Sequence, residues 1–377
     1  MWKKIRWPGS GEKSAGHSRQ ESRGRSPQIT SAGADTEEPV AGADTEEPAA
    51  GTDTEEPAAG ADTEGPAAGD ETEAPVQPDA PAPPAGRWAP IIVDDPIFEF
   101  EPKPPPTGTY RPDTIFDGWS TEQVTIRLAS VRGYSHRYNA APRQDDAGVA
   151  FDPASGAVIF AVADGVSSAR QSHLGAAAAC HIAVNNAAGQ LAAGQGPVDW
   201  TQVVNAAAAE LTMCATNLLD QDHPESEAVE ELLATTLVAG CVMPTSRGLE
   251  ASVIQIGDSG VWILQNGRYR SVLEQKHHPE APIISSAVSP LPRIPDRLSP
   301  AEFRLPLDSV LLVGTDGFGD PLGDGDGKVG HLFAEHLRTP PAPRALAHLL
   351  DFSRETFDDD RTLLGIWPLG PVVGAPP

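Results

Sequence analysis

The sequence predicts an α+β protein in which antiparallel sheets are covered by helices. Three observations point there. Strand-like runs come as a block, two long helical stretches follow, then more strands and further helices, so helices are grouped rather than alternating with strands. The "QNGR" at 265–268 carries the Asn-Gly pair of a tight hairpin, which joins antiparallel strands. Several apolar runs meet aspartate at their ends, usually beside glycine, as strands do where they run into tight turns.

Residues 1–118 read as a disordered tail ahead of a domain at 119–370. Its first 30 residues hold seven Lys or Arg against two acidic residues, and residues 31–86 hold fifteen acidic residues and no Lys or Arg. From 32 to 76 a nine-residue unit repeats, with Thr36, Thr45, Thr54, Thr63 and Thr72 in phase with Pro39, Pro48, Pro57, Pro66 and Pro75. Nine-residue repeats can build a β-helix, but those carry a core-forming apolar position in every turn. Here only Ala and an occasional Val are available, too little to offset the entropy of ordering. A spacer is the simplest role. Phosphorylation at the threonines, each followed by an acidic residue, is the alternative. Pro-rich segments continue to residue 118, and folding is expected to begin near Thr121.

Within the domain, residues 124–133, 147–153 and 157–164 run apolar or alternate and read as strands. Residues 172–192 and 202–219 are Ala-rich helices. Strands are expected again at 234–243, 250–258, 260–267 and 308–316. Helices are expected at about 330–338 and 342–356, and a closing strand at 362–367.

The bulk properties exclude several classes. The 377 residues carry a formal net charge of −26, and the part outside the tail is itself acidic, so a nucleic-acid partner is excluded. No apolar run is long enough to span a membrane, and no apolar stretch follows the charged start "MWKKIRWPGSGEKS". Cys180, Cys214 and Cys241 form no CxxC pair and sit in apolar or Ala-rich segments. They read as free thiols in a reducing cytoplasm.

The acidic strand ends carry the chemistry. Asp164-Gly165 closes "FAVADG", Asp258 follows "VIQIG", and Asp316-Gly317 closes "LLVGTDG". Asp358 to Asp360 open "FDDDRTLLGIW", and Asp145 and Asp146 precede "AGVAF". Each alone is a good turn. Together, strand ends of one sheet system can converge, and several carboxylates share a site only with a cation between them. All-oxygen donors suit Mg²⁺ or Mn²⁺ rather than zinc.

In order along 124–368, "GYSHRYNAAPRQDDAG", "AVADGVSSA", "ATTLVAG", "IGDSGVWIL", "VGTDGFGD" and "DDRTLL" resemble the metal-dependent protein Ser/Thr phosphatases, the PPM or type 2C family, in its bacterial branch. The resemblance implies a PPM-type sandwich of two antiparallel β-sheets flanked by helix pairs, with two metal ions at one edge and a third, weaker one. It implies that Asp164 bridges the two metals, that Gly165 offers its carbonyl, and that Asp316 and Asp359 bind the first metal. Asp145 would act through bound water, and Asp258 and Asp320 would serve the third ion. Asp146, Asp358 and Asp360 are neighbours in acidic runs.

Two departures stand out. Val166, Ser167 and Ser168 follow Asp164-Gly165, where bacterial members often have glycines and animal members a histidine. The family's phosphate-binding arginine position is occupied by Ala140, with Arg137 and Arg143 on either side; Arg137 is the preferred substitute. The activity implied is hydrolysis of phosphoserine and phosphothreonine in phosphorylated proteins by a metal-bridged hydroxide. His136 and His173 are candidate proton donors to the leaving group, though no spacing ties either to the site. The alternatives are a phosphatase of small phosphoesters and a catalytically weak phosphoprotein-binding module. The sequence names no partner for the tail.

Overall fold

The computed structural model describes residues 91–94, 103, 111–273, 289–354 and 356–370. All belong to the unit Pro78–Pro377. The nonapeptide repeat and nearly all of the predicted tail lie outside the described residues.

In chain order the elements are β1 (Ile91–Ile92), β2 (Thr114–Ser120), β3 (Val124–Val131), α1 (Tyr134–Asn139), β4 (Asp146–Asp152) and β5 (Ala157–Ala163). Next come α2 (Ser172–Ala192), α3 (Trp200–Leu219), α4 (Ser226–Leu233), β6 (Leu237–Thr245), β7 (Gly248–Ile256), β8 (Gly260–Gln265) and β9 (Arg268–Ser271). The chain continues through β10 (Ala301–Leu305), β11 (Ser309–Gly314), α5 (Asp316–Leu322), α6 (Lys328–His336), α7 (Pro343–Leu350), β12 (Phe352–Ser353) and β13 (Arg361–Pro368).

Strand alternation builds the layers. In β5, Val158, Phe160 and Val162 face one cluster while Ile159, Ala161 and Ala163 face another, as the two-residue period requires. In β11, Leu311 and Val313 join the first cluster, and Val310 and Leu312 join a third. The first cluster is therefore the interior of a sandwich. One sheet runs β10-β7-β6-β5-β4 and the other β2-β3-β13-β11-β8-β9, every pairing antiparallel. On the outside, α2, α3 and α4 cover the five-stranded sheet, and α5, α6 and α7 cover the six-stranded one. Each fully buried Val, Leu, Ile or Phe in these layers contributes about 1.5–3 kcal/mol. The predicted α+β sandwich is the observed architecture.

The fold begins before the predicted boundary. β2 pairs with β3 along its length, from Thr114 opposite Val131 to Ser120 opposite Thr125. The Pro-rich flank hides this strand in the sequence, and pairing with β3 supplies what local pattern does not. The helix expected over 342–356 stops at Leu350, because Phe352 and Ser353 leave it to pair with Ile91 and Ile92. The Asn-Gly turn holds as expected: Asn266 and Gly267 have φ of 52° and 75°, and Gln265 pairs with Arg268.

Candidate functional site

The acidic residues converge where strand ends of the two sheets meet. Asp164 follows β5, and the two residues just before β6 hold its backbone in place. The Thr236 N–H and the Thr235 hydroxyl donate to the Asp164 carbonyl at 2.7 and 2.8 Å. The Asp164 N–H donates to Thr236 Oγ1 at 3.0 Å, and that oxygen lies 2.9 Å from Ser259 Oγ. Thr235 and Thr236 thus sit beneath the site. Gly165 follows in a bridge with Thr235, and α2 begins so close to it that an added Cβ would lie 2.8 Å from the Ser172 backbone.

Asp145 directly precedes β4, which pairs with β5 in the same sheet. It is fully buried, and its Oδ2 accepts hydrogen bonds from Thr315 Oγ1 at 2.8 Å and Thr362 Oγ1 at 2.7 Å. Its Oδ1 is buried without a hydrogen-bond partner, and so is Oδ1 of Asp316. Asp316 opens α5, and its carboxyl faces that of Asp164. Asp359 stands in the turn before β13, with its side chain 47% exposed.

The electrostatics describe one cluster. Burial raises the Asp164 carboxyl well above the usual range, and the charges of Asp145, Asp316 and Asp359 raise it further. Burial and then Asp360 push Asp145 up, against the two threonine hydroxyls. Asp316 is pushed up to about 6, by burial first; Asp359, Asp258 and Asp320 add to it, while the Asp164 carboxyl opposes. Burial and Asp360 also raise Asp359. Such mutual repulsion is what a cation between the carboxylates would relieve. The hard oxygen donors and the two unpartnered buried oxygens fit a divalent ion such as Mg²⁺ or Mn²⁺. The structure therefore brings Asp145, Asp164, Asp316 and Asp359 together, with the exposed Asp258 and Asp320 acting on Asp316 from the rim.

Asp360 is the opposite case. Burial raises its carboxyl, but His136 and the N–H groups of Gln144 and Gly133 outweigh burial and hold it below the usual range. His136 is raised in turn: burial lowers it, and Asp360 and Asp359 more than compensate.

The arginines divide differently from the sequence expectation. Arg137 is buried on α1, paired through Nη1 with Asp351 at 2.8 Å and through Nη2 with Asp113 at 3.1 Å. Arg143 is buried against the Ser130 hydroxyl. Arg111, which the sequence reading passed over inside the Pro-rich segment, reaches the site. Its Nη2 donates to the Asp145 carbonyl at 2.6 Å and lies 3.2 Å from Asp146 Oδ2. Its Nε is buried without a partner. Together with burial, Arg111 lowers the pKa of His173, the second residue of α2. The one available signal was the "DTIFDGW" strand directly after "YRP".

A family model described as Protein phosphatase 2C matches residues 132–352, and the chain belongs to that family. Similar solved structures include RsbX in complex with magnesium, at 14% identity over 68% of this chain and 100% of that chain, TM-score 0.44. PppA of the Pseudomonas aeruginosa T6SS is 18% identical over 65% of this chain and 98% of its own, TM-score 0.42. The Mycobacterium tuberculosis serine/threonine phosphatase PstP is 16% identical over 65% of this chain and 98% of its own, TM-score 0.43. No curated protein sequence matches. Among the described residues no helix is long and apolar enough to cross a membrane.

Proposed function

We propose that the protein hydrolyses phosphoserine and phosphothreonine in proteins, using two divalent ions, Mg²⁺ or Mn²⁺, held by the acidic cluster. The observation that carries this reading is the meeting of Asp164 and Asp316 side chains beside Asp145 and Asp359, with two carboxylate oxygens buried and unpartnered. Asp164 would bridge the ions, with the Gly165 carbonyl beside it. Asp316 and Asp359 would complete the first ion's protein ligands. Asp145, anchored by two threonines, would hold ordered water rather than an ion. Asp258 and Asp320, at the rim, would serve a third and weaker ion. When bound, such ions supply a water acidified to a nucleophile near neutral pH and offset charge on the phosphoryl oxygens.

The chain's own residues fix the geometry. Thr235 and Thr236 set the height of Asp164, and Thr315 and Thr362 aim Asp145. An arginine would pair with the phosphoryl oxygens. Arg137 commits Nε and Nη2 to Asp113 and Nη1 to Asp351, whereas Arg111 commits Nη2 to Asp145 and Asp146, beside the acidic cluster. We therefore place Arg111 ahead of Arg137. Three free cysteines suit a reducing cytoplasm.

The test is phosphate release by the full chain from phosphoserine, phosphothreonine and phosphotyrosine peptides and from a small aryl phosphate, with and without EDTA. Release from the first two, abolished by EDTA and restored by Mn²⁺, supports the reading. Release that ignores EDTA, or that Asp164→Asn leaves intact, contradicts it. Turnover of the aryl phosphate alone moves the substrate to small phosphoesters.

A further inference from the structure

We infer that Asp360 is a positioning residue: its carboxylate closes the excursion that delivers Asp145 and so sets where Asp145 stands relative to Asp359. The inference rests on the metal-site reading above and adds to it a part that the acidic run conceals.

Between β3, which ends at Val131, and β4, which begins at Asp146, the chain leaves the sheets and forms α1. The two ends of this excursion are held by one side chain. The Gly133 N–H donates to Asp360 Oδ1 at 2.6 Å, and the Gln144 N–H donates to Asp360 Oδ2 at 2.5 Å. Gln144 directly precedes Asp145, and Asp360 directly follows Asp359. A single hydrogen bond thus links residues that each adjoin a member of the acidic cluster.

Other contacts make the joint tight. The Ser135 N–H donates to the Asp358 carbonyl at 3.0 Å. A Cβ on Gly133 would lie 2.2 Å from the Asp359 carbonyl carbon, so only glycine lets the two segments approach this closely. His136, carried by the same excursion, brings Nδ1 within 2.9 Å of Asp360 Oδ1. Arg132 Nη2 donates to the His136 carbonyl at 2.9 Å and steadies the turn from below.

His136, Asp359 and Asp360 place donor atoms within 4.8 Å of one another, which by composition resembles a separate metal site. The hydrogen bonds argue otherwise. Asp360 is 2% exposed, and both of its oxygens already accept backbone N–H groups. Carboxylates that hold ligand-bearing segments in this way affect metal affinity without touching the ion. An asparagine at 360 has one carbonyl oxygen, so it can keep Gly133 or Gln144 but must turn its NH₂ toward the other N–H.

The test compares the full chain with Asp360→Asn and His136→Gln. Mn²⁺ affinity is measured by titration calorimetry, and hydrogen exchange over residues 133–144 is measured in the metal-free chain. Phe333→Leu, in the outer core, serves as a control for lost stability alone. Asp360→Asn should bind Mn²⁺ about 10–100-fold more weakly and exchange faster over 133–144, while Phe333→Leu keeps its affinity. Should Asp360→Asn not fold, His136→Gln decides, because both backbone bonds remain available and about 10-fold weaker binding is expected. Wild-type affinity or unchanged exchange in folded Asp360→Asn overturns the inference, and so does wild-type affinity in His136→Gln where Asp360→Asn does not fold. Complete loss of Mn²⁺ binding in folded Asp360→Asn overturns it too, by making Asp360 a ligand. If the wild-type chain binds no Mn²⁺, the metal-site reading falls, and the exchange measurement still decides the joint.

Discussion

Thr315 Oγ1 donates to Asp145 Oδ2 at 2.8 Å, and this bond ties together the two sheets of the sandwich. Thr315 directly follows β11 of the six-stranded sheet, and Asp145 directly precedes β4 of the five-stranded one. Thr362, at the start of β13, makes a second bond to the same oxygen at 2.7 Å. Thr315→Val keeps the shape and removes one donor from a buried carboxylate. The expected loss is about 1–3 kcal/mol, read from urea unfolding of the metal-free chain. An unchanged unfolding midpoint would show that the bond does not help to join the sheets.

Arg111 and Arg137 should separate in kinetics. Arg111→Ala is expected to raise KM for phosphopeptide or lower kcat by about 10-fold or more, since a charge-assisted contact to phosphate is lost. Arg137→Ala should instead lower stability by about 1–3 kcal/mol through its lost ion pairs, with kinetic constants near wild type. The reverse pattern would return the phosphate-binding role to Arg137.

Gly317→Ala tests how closely α5 packs on the turn before β13. A Cβ at Gly317 would lie 1.9 Å from the Asp360 carbonyl oxygen, so backbone must move. Overpacking of this kind costs about 1–3 kcal/mol. Thermal unfolding should show the drop, and a variant as stable as wild type would contradict the close approach.

Thiol chemistry provides a check on the core that is independent of the site. Burial pushes Cys241 up to about 12, and burial raises Cys180 well above its usual value. Cys214 is only partly buried. In the native protein at pH 8 a thiol reagent should modify Cys214 alone, and all three in guanidinium. Fast native labelling of Cys180 or Cys241 would contradict the packing of the helical layer over the five-stranded sheet.

Much of the fold is legible in the sequence. The Ala-rich run 172–192 matches α2 end to end, and the Asn-Gly turn sits where expected. The acidic ends were readable because each sits at the end of an unmistakable apolar strand. What escaped depends on distant partners. β2 is half polar and is recognisable only against β3. β10 lies in the mixed run "AEFRL" and is fixed by β7. Asp316 reads as a turn after a strand, yet it opens α5 because the Thr315 N–H bonds the Thr362 carbonyl across the sheet. Asp360 looks like its acidic neighbours until the N–H groups of Gly133 and Gln144, more than two hundred residues away, are seen on it. Arg111 was hidden by the prolines around it.

The most direct test of the acidic cluster is an anomalous difference map from crystals of the full chain grown with Mn²⁺. Two peaks about 3.5–4 Å apart on either side of the Asp164 carboxylate, with Asp316 and Asp359 on one of them, are the predicted result. No peak at Asp164, or a single ion held by His136 and Asp360 instead, would contradict it.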